Sequence, residues 1–440
     1  MTSRAVICGR AGLCAGLVGI AVCFIASSAR GQEPPPRGSG AQQQTPASET
    51  TVGTPSAGPS LAAYPLELLG LLAPRAARGP LTLTPSISVS EEYNDNIFSD
   101  NRNRESDFIT TFSPALTLLI NRPAFQLRAG YSFGADIYAR ESQFNKAFNR
   151  QNFVVDGFYN ASSVLTLSVS ESFAYTRDTS LTTQQGFSTG RQESWSNTFT
   201  PGMTWQMTSL NSLRLSASYS ALRFIGEGTG RDSDTYGFLS TLTHTFTPRF
   251  SGLLGYGFTY LDPDGEDTSK THTPSIGLTY LLTSTLTASV SGGPAITEVG
   301  NETIISPAGT VSLVQLLSFG SVALQYTRGV SVAGGFGGTT DTQTGSGTLA
   351  LSSLYRGLLI MFTPSYSVAD SLSSRQTEQV EVKTLTLALA ATYQIGDYIS
   401  FFGGYTFLRQ RTGGSSSTQF DVDQNRVRFG VQFGYPFNFN

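Results

Sequence analysis

Charge is scarce in this 440-residue chain, where Asp, Glu, Lys and Arg together make up only 13% of residues. A cytosolic domain usually carries roughly 25%, so an ordinary cytosolic enzyme fits poorly. Lys occurs only at positions 146, 270 and 383, and His only at 244 and 272. The net charge of −3 offers no basic surface to nucleic acid. Cysteine stops at Cys23, after Cys8 and Cys14, which leaves the rest of the chain without a disulfide framework or a thiolate metal site. The apolar run Ala11 to Ala26 spans 16 residues and contains several Gly, which is short for a membrane-spanning helix. What is present is 46 Gly, abundant Ser and Thr, 11% aromatic and 39% apolar residues. That is too apolar for a wholly disordered chain. It suits an all-β chain that touches lipid on one side and water on the other.

The first residues read as a secretory signal peptide over 1–29. Arg4 and Arg10 precede the apolar run, and the small residues Ser27, Ser28 and Ala29 follow it. A lipoprotein reading is weaker, because Ile20, Ala21 and Val22 stand before Cys23 instead of a small residue. Removing the leader leaves 26 basic against 31 acidic residues, a mature charge of about −5. Residues 30–80 form a Pro-, Gly-, Gln-, Ser- and Thr-rich stretch that cannot bury a core, expected as a periplasmic linker. Within it, Leu61 to Ala73 is either a short helix ended by Pro74 or an apolar linker segment.

From residue 81 to 440 one pattern repeats: apolar and polar side chains alternate with period two. In one segment Phe125, Leu127, Ala129, Tyr131, Phe133, Ala135 and Ile137 share a face. Gln126, Arg128, Gly130, Ser132, Gly134 and Asp136 share the other. In the last, Val427, Phe429, Val431, Phe433, Tyr435, Phe437 and Phe439 alternate with Arg426, Arg428, Gly430, Gln432, Gly434 and Asn438. About 18 such segments follow one another. Their links alternate between long polar stretches, such as 94–107, 140–149 and 297–303, and short ones, such as 121–123 and 160–162. The expectation is an all-β fold, a transmembrane antiparallel β-barrel with long outer loops and short periplasmic turns. The sheet has to close, because an unpaired backbone group in hydrocarbon costs several kcal/mol. An even strand number puts both barrel termini on the periplasmic side. The aromatic residues of the final strand are the kind of signal that barrel-insertion machinery reads.

The first strand and its loop read Ser88-Val89-Ser90-Glu91-Glu92-Tyr93-Asn94-Asp95-Asn96-Ile97-Phe98. With the length and the strand rhythm, this resembles the β-barrel porins of bacterial outer membranes over about residues 82–440. Some members of that group are associated with exopolysaccharide export, or with protein-sorting systems that accompany it. The resemblance implies an outer-membrane pore, with polysaccharide-export components among its partners. It names no substrate.

Chemistry-bearing motifs are few. Gly186-Phe187-Ser188-Thr189-Gly190 matches the nucleophile-elbow pattern, but that chemistry needs a strand before it and a helix after it. Here it lies in an expected outer loop. His244 and His272 lack metal-ligand spacing, and Asp262 to Asp267 reads more simply as an Asp-Gly turn than as a calcium loop. No catalytic, cofactor or metal residues are therefore assigned. Arg128, Asp136, Asp156, Arg214, Arg426 and Arg428 alternate with apolar neighbours and should point into the lumen, since a charge at the lipid midplane costs about 2–4 kcal/mol. The expected function is a porin-like channel for polar solutes or for exopolysaccharide. The alternative is a plugged structural or adhesive barrel.

Overall fold

Strict alternation of apolar and polar residues can be satisfied by only one kind of wall, a sheet with unlike media on its two faces. The computed structural model describes residues 79–440, except 184–185, 227, 229, 333–334, 373–378, 415–420 and 440. The expected leader, and the linker up to residue 78 with its segment 61–73, lie outside the described residues.

Eighteen antiparallel strands follow in chain order. They are β1 (Leu81–Asn94), β2 (Asp107–Arg122), β3 (Phe125–Tyr138), β4 (Lys146–Asn160), β5 (Leu165–Asp178) and β6 (Arg191–Gln206). Next come β7 (Asn211–Ile225), β8 (Ser233–Thr247), β9 (Phe250–Pro263), β10 (Ser269–Leu281), β11 (Leu286–Val299) and β12 (Glu302–Leu317). The last are β13 (Gly320–Val332), β14 (Thr339–Leu351), β15 (Leu358–Ser371), β16 (Val380–Ile395), β17 (Ile399–Gly414) and β18 (Val422–Gly434). A three-residue β19 (Phe437–Phe439) continues β18 beyond Tyr435-Pro436, where proline cannot donate to the ladder.

Each strand pairs with its sequence neighbour, and the sheet closes where β1 meets β18 and β19. Ser86 pairs with Gly434 and Asn94 with Arg426, so the seam runs the length of the wall. No backbone edge is left to meet hydrocarbon.

The faces divide as the alternation expects. Outward side chains are apolar and exposed, for example Ile305 (70%), Ile276 (65%) and Phe429 (63%). Inward positions are mostly Ser, Thr, Gly and Ala, with a few charged residues and some buried apolar side chains such as Leu261, Val382 and Phe402. Aromatic rings band the outer surface at two levels. One level includes Tyr93–Phe108, Tyr219–Tyr236 and Tyr236–Tyr260; the other includes Phe246–Phe250 and Tyr398–Tyr435. Above the first band, outward ion pairs ring the long-loop rim. Among them are Arg223–Asp234 at 2.5 Å, Arg328–Asp341 at 2.7 Å, Arg411–Asp423 at 2.6 Å and Lys146–Glu193 at 2.8 Å. An apolar belt between aromatic girdles, with charge resuming outside it, is the surface of a bilayer-spanning barrel.

The loop rhythm holds with one correction. The link between β11 and β12, expected to be long over 297–303, is the tight turn Gly300-Asn301. Gly300 takes φ +56°, which it adopts without a Cβ penalty. Glu298 and Thr303 are paired within the ladder, so polar composition there marks strand ends above the membrane and not a loop.

Candidate pore constriction

At the long-loop rim the chain turns inward. The loop between β5 and β6 enters the barrel, and its described residues 179–183 and 186–190 are all buried. A short turn starts it, capped by the Asp178 side chain, which accepts a hydrogen bond from the Ser180 backbone N–H. Phe187 is fully buried and packs with Phe336 of the β13–β14 loop, Ala369 of β15, and Val380 and Val382 of β16. Beside it, the Ser188 N–H donates to Gln410 Oε1 at 2.8 Å, and Gln410 Nε2 donates to the Ser188 carbonyl at 2.7 Å. Gln410 is on β17. Strands β15–β17 lie about half the circumference from β6, so this loop is a strap across the mouth.

Other outer loops join it. The Arg231 N–H, before β8, donates to the Gly335 carbonyl at 2.9 Å, and the Gly230 N–H donates to Gln192 Oε1 at 3.1 Å. Arg191 of β6 donates to the Ile97 carbonyl at 3.0 Å and to the Tyr138 hydroxyl at 2.8 Å, with its guanidinium 4.4 Å from the Phe144 ring centre.

The Tyr93–Phe98 stretch that carried the family resemblance sits at the seam. Asn96 is fully buried. Its Nδ2 donates to the Asp423 carbonyl at 3.0 Å, its Oδ1 accepts from the Asp100 N–H at 3.1 Å, and its carbonyl accepts from Gln424 Nε2 at 2.6 Å. Asp95 accepts from the Asn425 N–H and Nδ2, each at 2.7 Å. Ile97 packs with Ile109 and Tyr138, against Phe98 and Phe144. The motif therefore clamps β1 and β18 together above the membrane.

Inward charge is confined to one side of the wall. Asp136 accepts from the Thr111 hydroxyl at 2.8 Å and pairs with Arg150 at 3.1 Å, and Arg150 also approaches Glu92 at 3.8 Å. Arg426 reaches across to Asp178 at 2.5 Å. Arg428 donates to the Ser90 hydroxyl at 3.0 Å and lies 5.9 Å from the Phe402 ring centre. Asp156 accepts from the Ser170 hydroxyl at 2.9 Å and stands opposite Arg128 in the β3–β4 register. Arg214 stands opposite Thr204 and Thr241. Of the six charges expected inward, Asp136, Asp156, Arg214 and Arg428 share their register positions or hydrogen bonds with Ser90, Thr111, Ser170, Thr204 and Thr241. Among the described residues, inward positions from β8 to β17 carry no charge except Glu302 at the rim. A cavity of about 30 Å³, ample for water, lies among Glu92, Asp136, Arg150, Asp178, Arg191 and Arg426.

The sequence reading did not single out Arg150, Asp178 or Glu92. Glu92 was legible, since it alternates with Ser90 and Asn94. Arg150 keeps the register of β4, opposite Gly134, but its neighbours Asn149 and Gln151 are polar, so no apolar side chain marks the outer face beside it; the register shift and Phe148 at φ +61° fall just before it. Ser188 of the elbow-like motif is a latch atom, with no helix after it. His244 and His272 face outward, beside Asn211 and Tyr256, both at 2.8 Å. Asp262 to Asp267 is a turn with Gly265 at φ +77°, and among the described residues no group of three His, Cys, Asp or Glu could hold a metal ion.

Closed, belted by hydrocarbon-facing side chains and lined by hydroxyls and charge, the molecule is a bacterial outer-membrane β-barrel. No protein-family model matches the chain, and no curated protein matches it in sequence. Solved structures similar to it include OccAB4 of Acinetobacter baumannii, at 12% identity and a TM-score of 0.42, covering 82% of this chain and 100% of that one. The outer membrane protein OpdK of Pseudomonas aeruginosa gives 12% identity and a TM-score of 0.42, covering 81% and 99%. OpdQ of the same organism gives 10% identity and 0.42, covering 81% and 98%.

Proposed function

We propose that this protein is a porin-type channel of the outer membrane, passing small polar solutes through a bore narrowed at its outer mouth by the strap of residues 179–183 and 186–190. The observation that carries this reading is the inner face itself. Eighteen strands make a wall wide enough to leave an aqueous channel, whereas eight are filled by their own side chains. Small Ser, Thr, Gly and Ala residues line that wall, and Gln126, Ser168 and Ser170 are exposed on it. Arg128, Asp136, Asp156, Arg214, Arg426 and Arg428 line its charged side and set its ion preference.

Small solutes are favoured over an exported polysaccharide by the same strap. A polymer needs an unobstructed path, and Phe187 and Ser188 are fastened to the far wall. A second reading, a plugged structural barrel, draws on that fastening too. Conductance in planar bilayers separates them. Ohmic single channels from purified protein support the channel, and silence from both the native protein and a strap-shortened variant overturns it.

A further inference from the structure

The outward surface of β4–β6 breaks the rule that the rest of the belt obeys. Leu167, Val169, Glu171, Phe173 and Tyr175 alternate on the lipid side of β5, and Glu171 is a carboxylate. It stands directly opposite Val155 on β4 and Phe199 on β6. It lies six residues above the strand's periplasmic end at Leu165, which is opposite Trp205. It lies four below Tyr175, which is opposite Trp195. At about 3.3 Å per residue on a tilted strand, it is about 10 Å below the upper girdle. A glutamate side chain does not extend that far, so Glu171 cannot bring its charge to the headgroups.

Its partner is as anomalous as it is. Asn197 on β6 also faces outward within the belt and donates to Glu171 Oε1 at 3.0 Å. Across the barrel, the outward residues of β10–β12 at comparable depth are Pro, Ile, Leu, Val and Gly, as Ile276, Leu278, Val290 and Val311 illustrate. An ionisable group inside the hydrocarbon is tolerated where protein, and not lipid, covers it.

We propose that this face packs against a second copy of the same chain, about a two-fold axis along the membrane normal. Self-complementarity identifies the occupant. The patch holds one donor group and one acceptor group side by side, so two copies can exchange them. One amide hydrogen of Asn197 serves Glu171 of its own chain, and the second is left to serve the carboxylate of the other. A carboxylate has lone pairs for both. Such an axis preserves depth, so a residue near it meets its own counterpart.

Cysteine cross-linking tests this in the full chain, because the barrel contains no Cys. Val169→Cys and Phe173→Cys, oxidised in outer membranes, should each form a disulfide-linked dimer of the chain. Leu278→Cys on β10 should not. The proposal falls if neither position cross-links while a lipid-soluble maleimide labels both as readily as Leu278→Cys. It also falls if they cross-link to a different polypeptide. As a second measurement, Glu171→Leu with Asn197→Leu should halve the particle mass in mild detergent, with the barrel still folded by its gel mobility before boiling. An unchanged dimer would refute it.

Discussion

Replacing Gln410 by Leu tests whether the strap closes the mouth. The substitution keeps the side-chain volume similar and deletes both hydrogen bonds to Ser188, the 2.8 Å acceptor and the 2.7 Å donor contact. Each neutral hydrogen bond contributes about 0.5–1.5 kcal/mol net, and leaving buried partners unmatched costs more. The strapped state should therefore lose about 1–3 kcal/mol relative to a released one in which water satisfies Ser188. Since 1.4 kcal/mol is tenfold, the closed-to-released ratio falls roughly 5- to 150-fold. Phe187→Ala acts harder on the same element. Its ring is fully buried among Phe336, Ala369, Val380 and Val382, and such truncations cost about 3–5 kcal/mol. The two changes touch one strap, so their effects should not add. Both residues sit on loop or lumen surfaces, leaving the lipid-facing belt unaltered. The assay is single-channel recording in planar bilayers. Native protein should show a low-conductance state, Gln410→Leu frequent excursions to a larger one, and Phe187→Ala predominantly the larger one. Identical conductance and dwell times in all three, with each barrel intact by its shifted mobility before boiling, would refute the strap as the constriction.

Further outcomes follow from the same wall. Ile276→Arg puts a charge on the lipid face in mid-belt, at a cost of about 2–4 kcal/mol, and should cut the amount of folded barrel in the outer membrane. Ser275→Arg, one residue away on the inner face, should be tolerated, and equal yields would sink the register. Changing Arg128, Arg214, Arg426 and Arg428 together to Ser should move reversal potentials toward cation selectivity, because the carboxylates of Asp136, Asp156 and Asp178 remain. Unchanged selectivity would mean that the permeation path avoids this wall. Asn96→Ala removes the side-chain contacts to the Asp423 carbonyl and the Asp100 N–H, for a loss of about 1–3 kcal/mol. The temperature at which the compact gel form is lost should fall, and no change would show that the seam needs no clamp there.

The strands were legible in the sequence because their signal is local. A period of two needs only five or six residues to declare itself, and in a barrel every strand meets the same pair of media. Parity then assigned the faces, and it is the ground on which Arg128, Asp136, Asp156, Arg214, Arg426 and Arg428 are expected to turn inward. Parity gave no contrast where polar residues crowd together: Arg150 keeps the register of β4 opposite Gly134, but Asn149 and Gln151 beside it are polar, and the register shift at left-handed Phe148 falls just before it. The constriction was not legible at all. Ser188 and Gln410 are separated by 222 positions, and nothing near either residue announces the other. The Gly186–Gly190 stretch drew notice for a nucleophile-elbow pattern that lacks the helix after it, while Phe187 between those glycines does the fastening.

Face alone also does not decide what an outward charge means; depth does. Arg223–Asp234, Arg328–Asp341 and Arg411–Asp423 point outward, yet they stand above the upper girdle and pair in water and headgroups. Glu91 points outward as well. It accepts from the Thr110 hydroxyl at 2.7 Å, two residues below Tyr93, close enough to the rim for the headgroup region. Glu171 is the described carboxylate for which neither escape works. It is too deep to reach the headgroups and shares the belt with Asn197, not with a cation. An exception to alternation therefore carries information in proportion to its distance from both girdles. By that measure β5 is the place where this barrel's surroundings stop being lipid.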